Sequence, residues 1–246
     1  MLHIVTHCYA IELPQYAAFL RYQLSSLVLH PPRHETWVTV CCMDDDLTTG
    51  LVLDDFLSDT RINIQAAHLT RDQISRRAIG RNMIAKASGA ELIWFADCDY
   101  AFGEGCIDGL LQAWEGLAEW SPMIFPIRYW IHRDHETGDK AAENAVDCWD
   151  AVVEADLTEF IEAKFSRPIG GVQICPGSFC RRFGYLDGHR RYQNPLDRPF
   201  SDFHDDVAFR KFCGQHGPIT PVDFPGLYRL RHTRTTYKSD QQVSLS

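Results

Sequence analysis

Leu92-Ile93-Trp94-Phe95-Ala96-Asp97-Cys98-Asp99 places four consecutive apolar side chains directly before two aspartates. The apolar run is typical of a strand that is covered on both faces, as in a parallel sheet with helices packed around it. In such a sheet, ligands bind at the carboxyl ends of the strands. Asp97 and Asp99 are therefore candidate ligands of Mg²⁺ or Mn²⁺, which take one or two protein carboxylates and complete their shells with water and phosphate oxygens. The alternative is a pair of solvated turn residues, and Asp44-Asp45-Asp46 shows that acidic turns recur in this chain.

The composition fits one large α/β domain. The 246 residues are 45% hydrophobic, which is enough for a sizeable core. No run of about 18 apolar residues occurs, and the first residues lack the basic and long apolar segments of a secretory signal, so we expect a cytoplasmic protein. The nine cysteines include no Cys-x-x-Cys and are irregularly spaced. This spacing argues against a disulfide framework or a structural zinc site and favours small buried side chains.

The net charge of −9 is unevenly distributed along the chain. Residues 1–166 contain 12 Lys and Arg against 26 Asp and Glu, whereas residues 167–238 contain 12 basic and 6 acidic residues. A basic half can mark a surface for a polyanion such as nucleic acid. The alternatives are solvated faces or arginines that contact a diphosphate. The acidic segment 132–165 is interpreted as a lid over the acceptor or as a solvated insertion.

Strand and helix patterns alternate along the first half of the chain. Strands are predicted at residues 2–7, 37–43, 62–66 and 92–95, and helices at 13–29, 51–57 and 74–87. Further on, we predict a strand over 123–130, a loop over 132–140 and an amphipathic helix over 149–165. The alternation predicts a parallel sheet with right-handed crossovers and a nucleotide-type crevice at the strand ends. No glycine-rich dinucleotide fingerprint or P-loop is present, so metal and arginine are the natural ligands of a phosphate.

Three segments in this order carry a resemblance to a known family. They are the acidic turn Asp44-Asp45-Asp46-Leu-Thr-Thr-Gly50 after a strand, Arg77-Ala-Ile-Gly-Arg81-Asn82, and Asp97-Cys98-Asp99. Together they resemble the nucleotide-contacting turn, the arginine-asparagine helix and the metal motif of family 2 glycosyltransferases with the GT-A fold. Residues 185–188 and 204–210 resemble that family more loosely. The first turn departs from the pattern, because it lacks the usual glycine-serine after its aspartates.

The resemblance implies a single α/β domain of the GT-A, Rossmann-like kind over residues 1–246, with a mixed, mainly parallel central sheet flanked by helices. Residues 1–110 would form the nucleotide-sugar half, residues 111–238 the acceptor half and residues 239–246 a flexible tail. It also implies a hexosyltransferase that uses a nucleotide-sugar, with a UDP-sugar expected, together with Mn²⁺ or Mg²⁺. The donor contacts implied by the family are Thr6, Asp44, Asp45, Arg77, Arg81, Asn82 and Asp97.

The same resemblance assigns the metal and the base. Asp99 would bind the metal directly, Asp97 would contact it through water or bind the ribose, and His232 would be the third ligand. Asp206, with Asp205 beside it, would deprotonate the acceptor hydroxyl in an inverting reaction. Each assignment has a structural alternative: His232 as a structural or exposed side chain, and the two aspartates as helix-capping residues. Arg81 has the alternative of a helix-surface cation.

The acceptor is open at this point. The basic half permits a hydroxymethylated base in phage-type DNA, which would be flipped from the stack, and a saccharide, a lipid-linked or a protein acceptor is the alternative. Two rival functions also remain, a non-catalytic nucleotide or nucleic-acid binding module and a nucleotidyltransferase. The residues predicted to contact the acceptor are Trp130, Arg181, Arg182, Asp187, Arg190 and Arg191.

Overall fold

The computed structural model describes residues 1–11, 13–136, 139–140, 152–194 and 204–232. Seven of its strands form one sheet. They are β1 (Leu2–His7), β2 (Thr36–Met43), β3 (Asn63–Leu69), β4 (Leu92–Phe95), β6 (Met123–Pro126), β9 (Gln173–Pro176) and β10 (Ile219–Val222). A second sheet contains β5 (Tyr100–Phe102), β7 (Arg128–His132), β8 (Phe160–Lys164) and β11 (Leu227–Arg229).

The larger sheet is mainly parallel, with the strand order β10-β6-β9-β4-β1-β2-β3. Strands β4, β1, β2 and β3 run parallel to one another, and β10 runs parallel to β6. Strand β9 is antiparallel to both of its neighbours, β4 and β6. The carboxyl ends of β1 to β4 therefore lie at one edge of the sheet, where ligands bind in α/β proteins.

Helices cover both faces of this sheet. The helices are α1 (Gln15–Leu29), α2 (Leu47–Leu57), α3 (Arg71–Ile74), α4 (Arg77–Ala87), α5 (Cys106–Glu115), α6 (Gly177–Phe183), α7 (Arg190–Gln193) and α8 (Asp205–Gly214). Alternate residues of β4 enter different cores: Trp94 joins the core under α1, α2 and α5, and Phe95 joins the core under α4, α6 and α8. This alternation confirms that the apolar run is a strand covered on both faces.

Two further observations concern the described residues as a whole. No described helix is long and apolar enough to cross a membrane. The eight cysteines within the described ranges are free and buried, as predicted for small core side chains.

Three predicted elements were wrong in part. The helix predicted over 74–87 is divided into α3 and α4, because Arg76 has a non-helical backbone (φ −119°, ψ 89°). The strand predicted over 123–130 is divided at Ile127, and its halves join different sheets. The helix predicted over 149–165 is wrong from residue 152 onward, since residues 152–156 are not helical and a short 3₁₀ helix (Leu157–Glu159) leads into β8, which pairs with β7. Residues 137–138 and 141–151, part of the predicted loop and helix, lie outside the described residues.

His3 provides a test of the packing of β1. Its ring is buried, with Nδ1 2.8 Å from Ser88 Oγ and Nε2 2.6 Å from Thr39 Oγ1. Burial lowers the pKa of His3 to about 4 from an ordinary value of 6.5. Below pH 6.5 the unfolded chain therefore binds a proton that the folded chain does not bind until about pH 4, so stability falls as the pH falls through this window.

We expect His3 to remove about 3 kcal/mol from the free energy of unfolding between pH 6.5 and pH 4. Urea denaturation at a series of pH values, on wild type and His3→Gln, measures this contribution. The His3→Gln protein should show a shallower pH dependence than wild type. Equal slopes for wild type and His3→Gln would contradict the expectation.

Candidate active site

Asp97 and Asp99 lie in the short connection between β4 and β5, at the carboxyl edge of the large sheet. The backbone of β4 is held beside β1 as far as Ala96, whose N–H donates to the Val5 carbonyl. The two carboxylates then separate. The Asp97 side chain is 28% exposed and that of Asp99 is 7% exposed. They have different partners and different surroundings.

Two arginines of α4 hold the Asp97 carboxylate. Arg77 Nη1 donates to Asp97 Oδ1 at 2.8 Å, and Arg81 Nη2 donates to the same oxygen at 3.0 Å. The spacing of four residues places both arginines on one face of the helix. Burial raises the pKa of Asp97, but the charges of Arg77 and Arg81 outweigh it and the pKa is lowered overall. Asp97 is therefore an ionised carboxylate whose charge two guanidinium groups balance.

Asp99 is paired with Arg229 at the end of β11 and lies near His232 just beyond that strand. Arg229 Nε donates to Asp99 Oδ2 at 3.0 Å, and His232 Nε2 lies 3.8 Å from the same oxygen. The charge of Asp99 raises the pKa of Arg229. The other oxygen, Asp99 Oδ1, is buried and has no hydrogen-bond partner in the described part of the chain. A buried carboxylate oxygen without a partner is energetically costly, so this atom has capacity for a ligand.

A divalent metal fits this arrangement in part. No group of three or more His, Cys, Asp and Glu among the described residues is arranged to hold a metal ion. Mg²⁺ and Mn²⁺ nevertheless use few protein ligands when a substrate diphosphate supplies the other oxygens. Asp99 Oδ1 and the imidazole of His232 are suitable donors for such an ion, whereas Arg77 and Arg81 occupy one oxygen of Asp97.

Asp206 approaches the same space from α8. A Cβ atom built on Gly170 would lie 3.7 Å from Asp206 Oδ2 and 3.7 Å from Asp97 Oδ2. Both carboxylates therefore lie within ordinary contact range of the space above Gly170. The neighbouring Asp205 is buried, and its charge acts on Arg76, Arg77 and Arg81. Asp206 is thus the member of the pair that faces the candidate site.

The predicted nucleotide-contacting residues lie at the ends of β1 and β2. Thr6 is buried, and its hydroxyl has no hydrogen-bond partner within the described ranges. Asp44 and Asp45 are exposed at the end of β2, and Asp44 Oδ1 lies 2.9 Å from Nδ1 of His68 on β3. Asp46 is a structural residue instead, since it caps α2 by accepting from the Thr49 N–H at 3.1 Å.

Comparisons with known proteins agree with this geometry at the level of the fold. No protein-family model and no curated protein sequence matches the chain. Solved structures do match it. S. aureus TarS 1–349 in complex with UDP-GlcNAc has a TM-score of 0.55 and 11% identity, over 96% of this chain and 59% of that one. The chain has the GT-A fold.

Two further structures are similar to lesser degrees. A longer S. aureus TarS structure gives a TM-score of 0.52 at 12% identity, over 94% of this chain and 36% of that one. The galactosyltransferase LgtC in complex with donor and acceptor sugar analogs gives 0.49 at 13% identity, over 89% of this chain and 72% of that one. The likeness to the TarS fragment confirms the GT-A fold class predicted from the sequence, and the chain spans about three fifths of that fragment.

The predicted acceptor residues are dispersed over this GT-A fold. Trp130 lies on β7 of the second sheet, where it is partly exposed. Arg181 donates to the carbonyls of Ser88 and Ala90 at 2.9 Å each, so it satisfies backbone groups that follow α4. Arg182 lies over the ring of Phe183. Arg190 and Arg191 are exposed on the short helix α7.

Asn82 and Asp187 hold a turn in place. Asn82 Nδ2 donates to Asp187 Oδ1 at 2.9 Å, while Asn82 Oδ1 accepts from the Tyr185 N–H at 3.0 Å. Lys86 donates to the other oxygen of Asp187 at 2.7 Å. The turn contains a non-glycine residue with positive φ, Leu186 (φ 61°), which is a strained conformation that its surroundings must stabilise. In this structure both residues have structural contacts, and their donor and acceptor roles stay predictions.

Sequence analysis missed four groups that the fold brings to the site. They are His68 beside Asp44, Arg229 beside Asp99, Gly170-Gly171 between the carboxylates, and the pair Tyr185 and Gln173. Arg229 belongs to the basic half that could mark a surface for a polyanion, although its charge is used by Asp99. The Gly-Gly pair was the available signal, since adjacent glycines often mark a close approach to a ligand.

Proposed function

We propose that this chain is a glycosyltransferase that moves a sugar from a nucleotide-sugar, a UDP-sugar first among the candidates, to an acceptor hydroxyl. One observation carries the proposal. Asp97 Oδ2 and Asp206 Oδ2 both lie in contact range of a Cβ atom built on Gly170, at the ligand-binding edge of a GT-A sheet, and Asp99 follows Asp97 in the same connection. An inverting glycosyl transfer needs a site for the donor diphosphate and a base close to the acceptor hydroxyl.

The diphosphate end of the donor is assigned to Asp99 and His232. These residues would hold Mn²⁺ or Mg²⁺, and such an ion would stabilise the negative charge of the leaving diphosphate. Asp99 Oδ1 is buried and has no hydrogen-bond partner among the described residues, which supports this assignment. Arg77, which is one-third exposed, and Arg229 add positive charge around the same space. Asp44 and Asp45 lie further along the strand ends and would contact the nucleoside.

The acceptor end is assigned to Asp206. Asp206 lies in the first turn of α8, where the helix N-terminus carries a partial positive charge. An ionised carboxylate accepts the proton of the acceptor hydroxyl as that oxygen attacks the sugar carbon, which inverts the configuration there. Gly170 leaves the gap between Asp206 and Asp97 open, and the transferred sugar would lie there.

The test is Mn²⁺-dependent release of nucleoside diphosphate from a panel of UDP-, GDP- and dTDP-sugars, with and without saccharide acceptors and hydroxymethylated DNA. We expect release from at least one donor, and faster release with the correct acceptor. Pyrophosphate release in its place would identify a nucleotidyltransferase. Nucleotide binding without release from any donor would identify a binding module. Acceleration by DNA that disappears at high salt would assign the acceptor to nucleic acid.

A further inference from the structure

A chain of buried hydrogen bonds runs from the Asp97 carboxylate to the backbone carbonyl of Asp206. Arg81 Nη1 donates to the Tyr185 hydroxyl at 3.0 Å, and that hydroxyl donates to Gln173 Oε1 at 2.8 Å. Gln173 Nε2 then donates to the backbone carbonyl of Asp206 at 2.8 Å. Arg81, Tyr185 and Gln173 all have fully buried side chains. At its other end, Arg81 Nη2 binds Asp97 Oδ1 at 3.0 Å.

The chain of hydrogen bonds has one direction. A guanidinium group has donors and no acceptor, so the Tyr185 oxygen must accept from Arg81 and its proton must point to Gln173. The Gln173 amide is fixed in turn, because its oxygen accepts from Tyr185 and its NH₂ group faces Asp206. The donor and the acceptor of each hydrogen bond are therefore fixed, and loss of the Tyr185 hydroxyl interrupts the connection.

Ring packing places Tyr185 against the helix that carries Asp206. The centroid of its ring is 4.0 Å from that of Phe209, which lies one turn after Asp206 on α8. Phe95, at the end of β4, contacts both rings edge-on at 4.8 and 5.7 Å. The residue before α8, His204, has a left-handed backbone (φ 49°) and caps the helix with no side-chain hydrogen bond to any described residue. Gln173 thus supplies a side-chain contact to a first turn that its own cap does not hold.

We propose that Tyr185 and Gln173 are positioning residues that set the Asp206 carboxylate relative to Asp97. The inference rests on the proposed function, since it assigns Asp206 to the reaction. Tyr185 and Gln173 act through the first turn of α8, because their hydrogen bonds reach the backbone carbonyl of Asp206. A small displacement of a base from its proton can cost about 100-fold in rate, so the connection has a measurable role even though it is remote from the substrate.

The experiment uses Tyr185→Phe, which keeps the ring and its packing, and Gln173→Met, which keeps the length of the side chain. Tyr192→Phe is the control, because it removes a tyrosine hydroxyl outside the hydrogen-bonded chain. We expect kcat to fall about 10- to 100-fold in both variants, while the dissociation constant for UDP and Mn²⁺ changes less than about 2-fold. Thermal unfolding confirms that each variant is folded, and the control should retain wild-type kcat.

A double variant of Tyr185 and Asp206 distinguishes positioning of the Asp206 carboxylate from a general effect on stability. If the hydroxyl acts through Asp206, Tyr185→Phe should not lower the residual turnover of Asp206→Asn any further. The proposal is overturned if the two losses multiply, or if UDP binding weakens by the same factor as kcat falls. A wild-type enzyme that releases no nucleoside diphosphate from any donor removes the proposed function and the positioning role together. An active wild type with unaffected variants removes the positioning role alone.

Discussion

Replacing Asp206 by asparagine is expected to lower kcat by roughly 100- to 10,000-fold, the range that a positioned general base contributes. Asparagine retains the size of the side chain and loses its ability to accept a proton. Because Asp206 is proposed to act on the acceptor, the affinity for the nucleotide should be unchanged. Steady-state turnover and titration calorimetry with UDP and Mn²⁺ measure the two quantities separately.

The matched control for this substitution is Asp108→Asn. Asp108 lies in the first turn of α5, where it accepts from the Arg33 N–H and lies 2.8 Å from His34 Nδ1. Both substitutions remove a carboxylate from a helix N-terminus, which should cost a few tenths of a kcal/mol to about 1 kcal/mol in stability, and Asp108→Asn should cost more because it also weakens these contacts. A kcat of Asp206→Asn within 10-fold of wild type would exclude Asp206 as the base.

Asp99→Asn is expected to abolish Mn²⁺-dependent binding of UDP and to lower turnover at least as much as loss of the base. Its second effect is on folding, because it leaves the Arg229 guanidinium without its carboxylate. We expect a loss of roughly 1–3 kcal/mol from the free energy of unfolding, since Asp99 is nearly buried and Arg229 is one-quarter exposed. Metal-dependent nucleotide binding and urea denaturation provide the measurements.

The double variant Asp99→Asn with Arg229→Gln separates the two effects. Removing both charges should restore most of the lost stability, because no unpaired ion remains. It should not restore the response to Mn²⁺, which depends on the carboxylate. Recovery of metal-dependent binding in the double variant would show that Asp99 acts through Arg229 and is not a metal ligand.

The sequence predicted the half of the fold in which neighbouring elements follow one another along the chain. Strands β1 to β4 are parallel and adjacent, so an apolar run that ends in aspartates was sufficient to place Asp97 and Asp99 at the ligand edge. The second sheet was not predictable in this way. Its strand β11 pairs with β5 and β7, which come from distant parts of the sequence, and Arg229 therefore met Asp99 without a local signal.

Residue type alone did not decide how each arginine is used. Arg181 was predicted to contact an acceptor, yet it donates to backbone carbonyls near the end of α4. Arg77 and Arg81 were predicted to contact the donor, and the structure places both on Asp97. A guanidinium group suits carboxylates, carbonyls and phosphates alike, so its partner depends on the tertiary fold.

The short hydrogen-bond ladder of β11 affects local opening of the candidate site. This strand has three residues, and Leu230 donates to the Asp99 carbonyl at 2.8 Å just beyond it. Local opening of so short a ladder requires much less free energy than unfolding the whole protein. Each opening would separate Asp99 from Arg229 and His232 while the parallel strands stay intact. Exchange of the β11 backbone amides with solvent deuterium therefore reports how often Asp99 separates from His232, the two candidate metal ligands. Bound nucleotide should slow that exchange.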